Sequence, residues 1–560
     1  MSDGLFPVKI RLSMAVYQPT IGLEIHAELK TQTKMFCCSK NDADETRPNV
    51  NICPVCMAHP GTLPVINAEA VRHVLRVGVA LGSKLADYTE FDRKNYFYPD
   101  LPKGYQLSQY EFPLVEGGAL KDVTITRVHL EEDTASSMHT STSLSTGDEA
   151  TGATTIDYNR AGVPLMELVT EPVITSAEQA GEFARELQLL FRYLGVSEAN
   201  MEKGEMRVEA NVSVAPLRNS QFPISNFQSN SNDSMDNENS LKIAKLKSEN
   251  SLGTKVEIKN LNSFRAMERA VEYEIRRQTD LLERGEAVVQ ETRGWDENKQ
   301  ATFAQRTKEG SADYRYFPDP DLPSLRLSEL KGYDAGSLRA TQPELPSERR
   351  NRYQSAGVKA DDAELYVRET VFGDFFDAVS EGVARETALL ASNYIANDLV
   401  NISSSFAPPS PKATEGHGKA SKDKRDVENR DTDSQPASAS PSRDGPVIPI
   451  SVQNFREIIT MLETKEISSR SAKDLLLICT KEAGTPREIA KNKGLLNSKD
   501  PAAMGAAVDK VIAGNPTVVA DFKAGKAAAL EFLVGQGMRA LKGSGDPVEV
   551  RKILKERLGG

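Results

Sequence analysis

Three observations predict an α+β body followed by helices. Segments between residues 17 and 322 alternate apolar and polar residues with the period of strands, amphipathic helical segments lie among them, and after about residue 325 the strand pattern ends. A chain of 560 residues also exceeds the ~250–300 at which single hydrophobic cores stop growing, so more than one domain is expected.

The elements follow in order. TIGLEIHAELK (20–30) places Ile21, Leu23, Ile25, Ala27 and Leu29 on one strand face and Glu24, His26 and Glu28 on the other. Thr175-Ser176-Ala177-Glu178 reads as a capping box ahead of Phe183, Ala184, Leu187, Leu190, Phe191 and Leu194 at helical spacing, with Gly195 as the stop. RVEANVSV sets Val208, Ala210, Val212 and Val214 against Arg207, Glu209 and Asn211, and TKVEIKN sets Val256 and Ile258 against Lys255, Glu257 and Lys259. Between these two strands, the Ser- and Asn-rich insert at about 218–250 reads as a disordered hairpin tip, too poor in apolar surface to offset its ordering entropy. Residues 323–402 read as helical. Residues 403–446, rich in Ser, Pro and charge, read as a disordered domain linker, and 447–560 as an all-helical tail whose short helices end at Gly and Asn.

Hydrophobic content of 39%, a charged fraction of 27% and the lack of an apolar run of ~18 residues describe a globular chain without a helical membrane span. The N-terminal stretch MSDGLFPVKIRLSMAVYQ lacks the h-region of a signal peptide, so a cytoplasmic location is expected. A net charge of −11 argues against indiscriminate nucleic-acid binding and makes any RNA contact local.

Three strands with one apolar and one charged face fit either a concave polar site or a salt-bridged surface. HLEEDTA supplies Glu131, Glu132 and Asp133, and PLMELVTEP supplies Glu167 and Glu171. Clustered carboxylates of this kind suit Mg²⁺, which keeps water and substrate phosphates in its octahedron, and phosphoryl transfer is then the natural reaction class. Arg207, Lys255 and Lys259 are candidates to neutralise phosphoryl charge. The sequence contains no GxxxxGKS/T loop, GxSxG elbow, HExxH or GxGxxG; GHGKAS at 416 lacks the first glycine.

Five cysteines are too few for a disulfide framework. Cys53-Pro54-Val55-Cys56 has the form of half a zinc site, with Cys37 and Cys38 upstream, and the polar loop between has little reason of its own to stay ordered. Adjacent side chains in extended backbone point apart, so Cys38 joins Cys37 on one ion only if the backbone turns there. Structural zinc and reduced loop cysteines both fit this spacing. Cys479, in LLLICT, reads as helix core.

Taken together, IGLEIHAEL, the cysteine loop running into HPGTLPVIN, FDRKNYFYPDLPKGYQLSQY, HLEEDTA, DYNRAGVPLMELVTEP, KVEIKNLNSF and KEGSADYRYFPDPDLP resemble the B-subunit family of the aspartyl/glutamyl-tRNA amidotransferases. The resemblance runs from residue 17 to 400 and resumes at 447, where ISSRSAK and FLVGQGMRALKG look like the family's tail. It implies a catalytic cradle over 17–322 and a tRNA-binding tail domain. It further implies an ATP- and Mg²⁺-dependent activity that phosphorylates the side-chain carboxylate of Glu-tRNA(Gln), Asp-tRNA(Asn) or both. Ammonia then displaces the phosphate. It comes from glutamine hydrolysed by a separate amidase subunit, and a small third subunit holds the heterotrimer together. The chemistry agrees with the residues: an unactivated carboxylate is a poor acyl donor, and this sequence shows no amidase-like nucleophile constellation.

Carried over by motif, Glu24, His26, Glu131 and Glu132 resemble the family's Mg²⁺ and phosphoryl-transfer site, with Glu167 and Arg207 beside them. Tyr96, Tyr98 and Lys103 look like substrate-side lining, joined by Lys255 and Lys259. Lys473, Arg539 and Lys542 are the tail's candidates for tRNA backbone contact, although each also reads as a solvated helix charge. Zinc-bearing members typically show Cys-x-Cys where this chain has Cys37-Cys38, and both inserts are longer than is usual in the family. A tRNA-binding scaffold that had lost catalysis would show an eroded acidic set, whereas Glu24, His26, Glu131 and Glu132 are all present.

Overall fold

The computed structural model describes residues 17–139, 154–216, 252–307, 314–405, 447–497, 501–541 and 547–559. They divide between Pro346 and Ser347 into two compact units. The 218–250 insert lies outside the described residues, as do Lys542 and all of the 403–446 stretch after residue 405.

The first unit is organised on a ten-stranded sheet. Strand β1 (Tyr17–Glu28) lies near its middle. The small hairpin β2 (Asp92–Asn95) and β3 (Tyr105–Ser108) belongs to a separate three-stranded sheet. The large sheet continues with β4 (Val123–Glu132), β5 (Pro164–Thr170), β6 (Met206–Pro216), β7 (Val256–Leu261), β8 (Glu291–Asp296) and β9 (Ala301–Thr307). Its order is β9-β8-β7-β6-β1-β5-β4, extended past β4 by the short strands Val115–Glu116 and Lys84–Leu85. Pairing along this order is antiparallel except for β7 with β8, a parallel pair that needs a crossover. The helix Phe264–Glu283 supplies it. β6 and β7 pair antiparallel, with Val212 opposite Val256, so the insert between them joins adjacent strands as the alternation predicts.

The alternation also decides the faces. Ile21, Leu23, Ile25 and Ala27 are at most 1% exposed, and with Val208, Ala210 and Ile258 they join one core. Val71 and Val74 of α1 (Ala68–Ala80), Phe183, Leu187 and Phe191 of α2 (Ala177–Leu194), and Met267 and Val271 of α3 (Phe264–Glu283) complete it. Each such aliphatic or aromatic burial contributes about 1.5–3 kcal/mol, which holds the opposite, polar face in register. Gly195 ends α2 at φ 65° as read. The cap sits one residue later than predicted. Extended Ser176 accepts from Gln179 N at 3.1 Å, while Gln179 Oε1 accepts from Thr175 N at 2.9 Å, so Ser and Gln do the work assigned to Thr175 and Glu178.

The second unit is helical: α4 (Pro346–Ala356), α5 (Ala360–Arg368), α6 (Thr370–Ser380), α7 (Arg385–Tyr394), α8 (Val452–Glu463), α9 (Ser469–Cys479) and α10 (Pro486–Asn492), then α11 (Pro501–Gly514), α12 (Pro516–Lys523), α13 (Ala527–Ala540) and α14 (Pro547–Leu558). Helix α8 packs on α6 and α7. Phe455 meets Phe375 edge-on at 5.3 Å, and Arg456 donates to the carbonyls of Ala378, Val379 and Glu381, satisfying the open C-terminal end of α6. The chain therefore returns after residue 446 to the helices it left at 405, so the stretch read as a domain linker joins parts of one unit. Helices α11–α14 have their own apolar cluster around Val508, Leu533, Val550 and Leu554. Cys479 is buried in α9.

Candidate active site

Cross-strand register brings the polar residues into rows. His26 lies opposite Arg207 on β6 and Glu167 on β5, and Glu167 lies opposite His129 on β4. Glu24 lies opposite Glu209. His26 Nε2 is 3.3 Å from Glu167 Oε2 and 4.0 Å from Glu24 Oε1, and His129 Nε2 is 3.5 Å from both Glu167 Oε2 and Glu131 Oε1.

Three overlapping groups on this face have geometry for a cation: Glu24–His26–Glu167, His129–Glu131–Glu167 and Glu24–Glu209–Glu257, each with ligand atoms within 4.8 Å of one another. Resident charge separates them. Lys94 Nζ stands 3.6 Å from Glu131, and Lys259 Nζ stands 2.7 Å from Glu209. Glu24–His26–Glu167 has no lysine paired with its carboxylates among the described residues, its resident cation being Arg127 at 3.8 Å from Glu167 Oε1, and Glu24 keeps 29% of its side chain open to solvent. Oxygen donors with one imidazole and an open side fit a hard divalent cation that retains water.

The electrostatics are those of a crowded carboxylate site. Burial, and then the charge of Glu167, push Glu24 up to about 6. Burial opposes charge on His26, but the bond to Glu167 and the charges of Glu167 and Glu24 outweigh it and raise the imidazole to about 9. Burial would likewise raise Glu167, yet His129 and His26 hold it at about 2. Glu131 is held well below the carboxylate range, since Lys94 and His129 outweigh its burial; Ser108 Oγ and Gln106 Nε2 donate to its two oxygens.

The predicted Glu131–Glu132 pair is split. Successive strand residues face opposite sides, and Glu132 turns to Lys103 Nζ at 2.5 Å and to the N–H of Leu107 at 3.0 Å, joining none of the three groups. Arg207 is held by Asp133 and lies 3.8 Å from Glu28 at the edge of the row. Glu171 accepts from Thr126 Oγ1 instead of facing the site. The Tyr96 hydroxyl donates to Gln106 at 3.1 Å, its ring meets Tyr98 and Tyr314 edge-on, and Tyr98 is 54% exposed. Lys255 is exposed just before β7. In the helical unit Lys473 pairs with Asp398 at 2.8 Å, a contact that occupies a residue read for tRNA, while Arg539 is exposed on α13.

Sequence reasoning missed His129 and Lys94. Both were reachable: in VTITRVHLEE, His129 stands two residues before Glu131 and so shares its face, and Lys94 lies within FDRKNYFYPD.

The cysteine loop forms a second group. Cys37, Cys53 and Cys56 come within 4.8 Å of one another, while Cys38 is exposed and outside the group, although the backbone bends at both Cys37 and Cys38 within the loop closed by the Thr33–Lys40 bridge. Cys37 and Cys56 line a cavity of about 210 Å³ with Lys103 and Glu132. The loop is held from outside, by the 157–159 turn: Asn159 Oδ1 accepts from Val50 N and Asn51 N at 2.8 Å, and Asp157 Oδ1 accepts from Asn49 N at 2.9 Å.

A family model described as the GatB/GatE catalytic domain matches residues 19–331, and one described as the GatB domain matches 441–558. The B subunit of the aspartyl/glutamyl-tRNA(Asn/Gln) amidotransferase of Crocosphaera subtropica is 36% identical over 97% of this chain and 98% of its own length. That of Trichodesmium erythraeum is 36% identical over 99% of both chains, and that of Thermomicrobium roseum 39% identical over 97% and 99%. At that identity over almost the full length of both chains, with the polar rows built by the matched region, the chain belongs to the family of aspartyl/glutamyl-tRNA(Asn/Gln) amidotransferase B subunits.

Proposed function

We propose that the chain activates the side-chain carboxylate of a misacylated tRNA: with ATP it phosphorylates Glu on tRNA(Gln), Asp on tRNA(Asn), or both, and ammonia then displaces phosphate to give the amide. The observation that carries this reading is the Glu24–His26–Glu167 group on the polar sheet face, open at Glu24, with Arg127 beside Glu167, Lys94 beside Glu131 and Lys259 beside Glu209. Those three residues would hold Mg²⁺, Glu24 and Glu167 through oxygen and His26 through nitrogen once the cation displaces its proton. When bound it offsets negative charge on phosphoryl oxygens that carboxylates alone would repel. Lys94 and His129 keep Glu131 ionised and fixed, and Arg207 presents a cation at the end of the His26 row. Tyr98 and the rest of the aromatic group line the substrate side.

Amide formation requires a separate ammonia source, so we infer two partners, an amidase that hydrolyses glutamine and a small third subunit of the heterotrimer. Helices α11–α14, with Arg539 on α13, are the tRNA-holding part by the family's pattern. Cys37, Cys53 and Cys56 would hold one structural zinc. No described helix is long and apolar enough to cross a membrane, and we place the chain in the cytoplasm.

The test is the purified complex carrying Glu24→Gln or His26→Ala. Loss of tRNA-dependent ATP hydrolysis with glutamine hydrolysis still measurable supports the assignment. Wild-type phosphate release by either variant overturns it.

A further inference from the structure

Lys34 is the one lysine among the buried polar residues described, with 0% of its surface exposed. Its stem passes beneath the DYNRAG loop. Gly162 has φ +85°, and a Cβ there would stand 3.7 Å from Lys34 Cδ and 3.6 Å from Cys56 Cβ. Nζ donates to the carbonyl of Tyr158 at 3.2 Å and lies 3.8 Å from Cys56 Sγ. No carboxylate lies within ion-pair distance of it among the described residues. An enclosed ammonium without an opposite charge is costly, and a carbonyl supplies only a dipole. A thiolate at Cys56, whose Sγ is 3.8 Å from Nζ, with Cys37 and Cys53 within 4.8 Å of that sulfur, is placed to supply the opposite charge.

Those sulfurs have the spacing of metal ligands. Zinc–sulfur bonds of about 2.3 Å in a tetrahedron put neighbouring sulfurs about 3.8 Å apart. Cys53 Sγ and Cys56 Sγ are 3.9 Å apart. Three thiolates on one divalent ion leave a net charge of about −1, which a single enclosed ammonium offsets.

We propose that Lys34 is the counter-charge of a zinc–thiolate centre made by Cys37, Cys53 and Cys56, bonded to a ligand sulfur and not to the metal. This rests on the zinc reading above. Hydrogen-bonded partners of metal ligands typically change metal affinity 10–100-fold when removed, and here the partner also carries the balancing charge.

The experiment compares wild type, Lys34→Gln, Lys34→Arg and Cys53→Ser in the full-length chain purified in its complex and without chelator. Zinc is counted by mass spectrometry, and affinity is measured by competition with a zinc-binding dye. Glutamine keeps a donor for the Tyr158 carbonyl and removes the charge; arginine keeps the charge. Wild type is expected to hold about one zinc more than Cys53→Ser. Lys34→Gln should bind zinc about 10–100-fold more weakly, with Lys34→Arg recovering most of the loss. Wild-type affinity in Lys34→Gln overturns the role of Lys34 and leaves the zinc reading standing. No excess zinc in wild type over Cys53→Ser overturns both. Should Lys34→Gln not fold, Lys34→Arg decides: weakening as large as that of a ligand substitution shows that charge is not what Lys34 supplies.

Discussion

His26 and Glu167 stand directly opposite each other on adjacent antiparallel strands, with Nε2 3.3 Å from Oε2. That oxygen also receives His129 at 3.5 Å, so one carboxylate orients two imidazoles. Glu167→Gln keeps the shape and removes the charge. It is expected to lower tRNA-dependent ATP hydrolysis by at least about 100-fold, as loss of a preorganised charged group does, while glutamine hydrolysis persists. Rates within about threefold of wild type would remove Glu167 from the site.

His129 touches Glu131 and Glu167 without belonging to the lysine-free group, and its role is to hold both carboxylates in place. His129→Asn should raise the Mg²⁺ concentration for half-maximal ATP hydrolysis about 10-fold, with a smaller effect on the rate at saturating Mg²⁺. A Mg²⁺ titration of the variant complex checks this. An unchanged midpoint refutes the positioning role.

His73 lies away from this chemistry, on α1, with Nε2 3.1 Å from the carbonyl of Lys30. Burial is the main influence and moves its imidazole below the ordinary 6.5. The unfolded chain then takes up this proton before the folded one does. Stability from this group is complete above pH 6.5 and falls as pH drops below it. His73→Gln should flatten the loss of stability between neutral pH and about pH 5, as read from urea midpoints. Parallel pH profiles for variant and wild type would contradict the assignment.

Removal of the tail should depend on where the cut falls. Ending the chain at residue 497 spares the Phe455–Phe375 contact and the bonds from Arg456 to α6. It should weaken tRNA binding in filter assays and leave the rest folded. Ending it at 446 removes both contacts, and losing one such buried aromatic alone costs about 3–5 kcal/mol, so α4–α7 should become protease-sensitive. Equal protease resistance of the two truncations would show that α8 is dispensable to those helices. Unchanged tRNA affinity in the shorter cut would give α11–α14 another task.

Strand pattern was legible in the sequence because it is local. A period of two along TIGLEIHAELK is enough to place Glu24 and His26 together and Leu23 and Ile25 behind them, whatever the strand pairs with. The helix of residues 177–194 and its Gly195 stop are local in the same sense, and the family motifs are strings of residues. What tertiary structure alone decided involves partners distant in the chain. Glu131 and Glu132 are neighbours, yet one pairs with Lys94 and His129 and the other with Lys103. The charge beside each cation group depends on register across β4, β5, β1, β6 and β7. Cys37 joins Cys53 and Cys56 while Cys38 stays exposed, and the segment before Cys53 is held by Asn159, more than a hundred residues away. Helix α8 rejoins α6 across the 406–446 stretch because apolar faces are buried by whichever surface fits them, and sequence distance does not limit that choice.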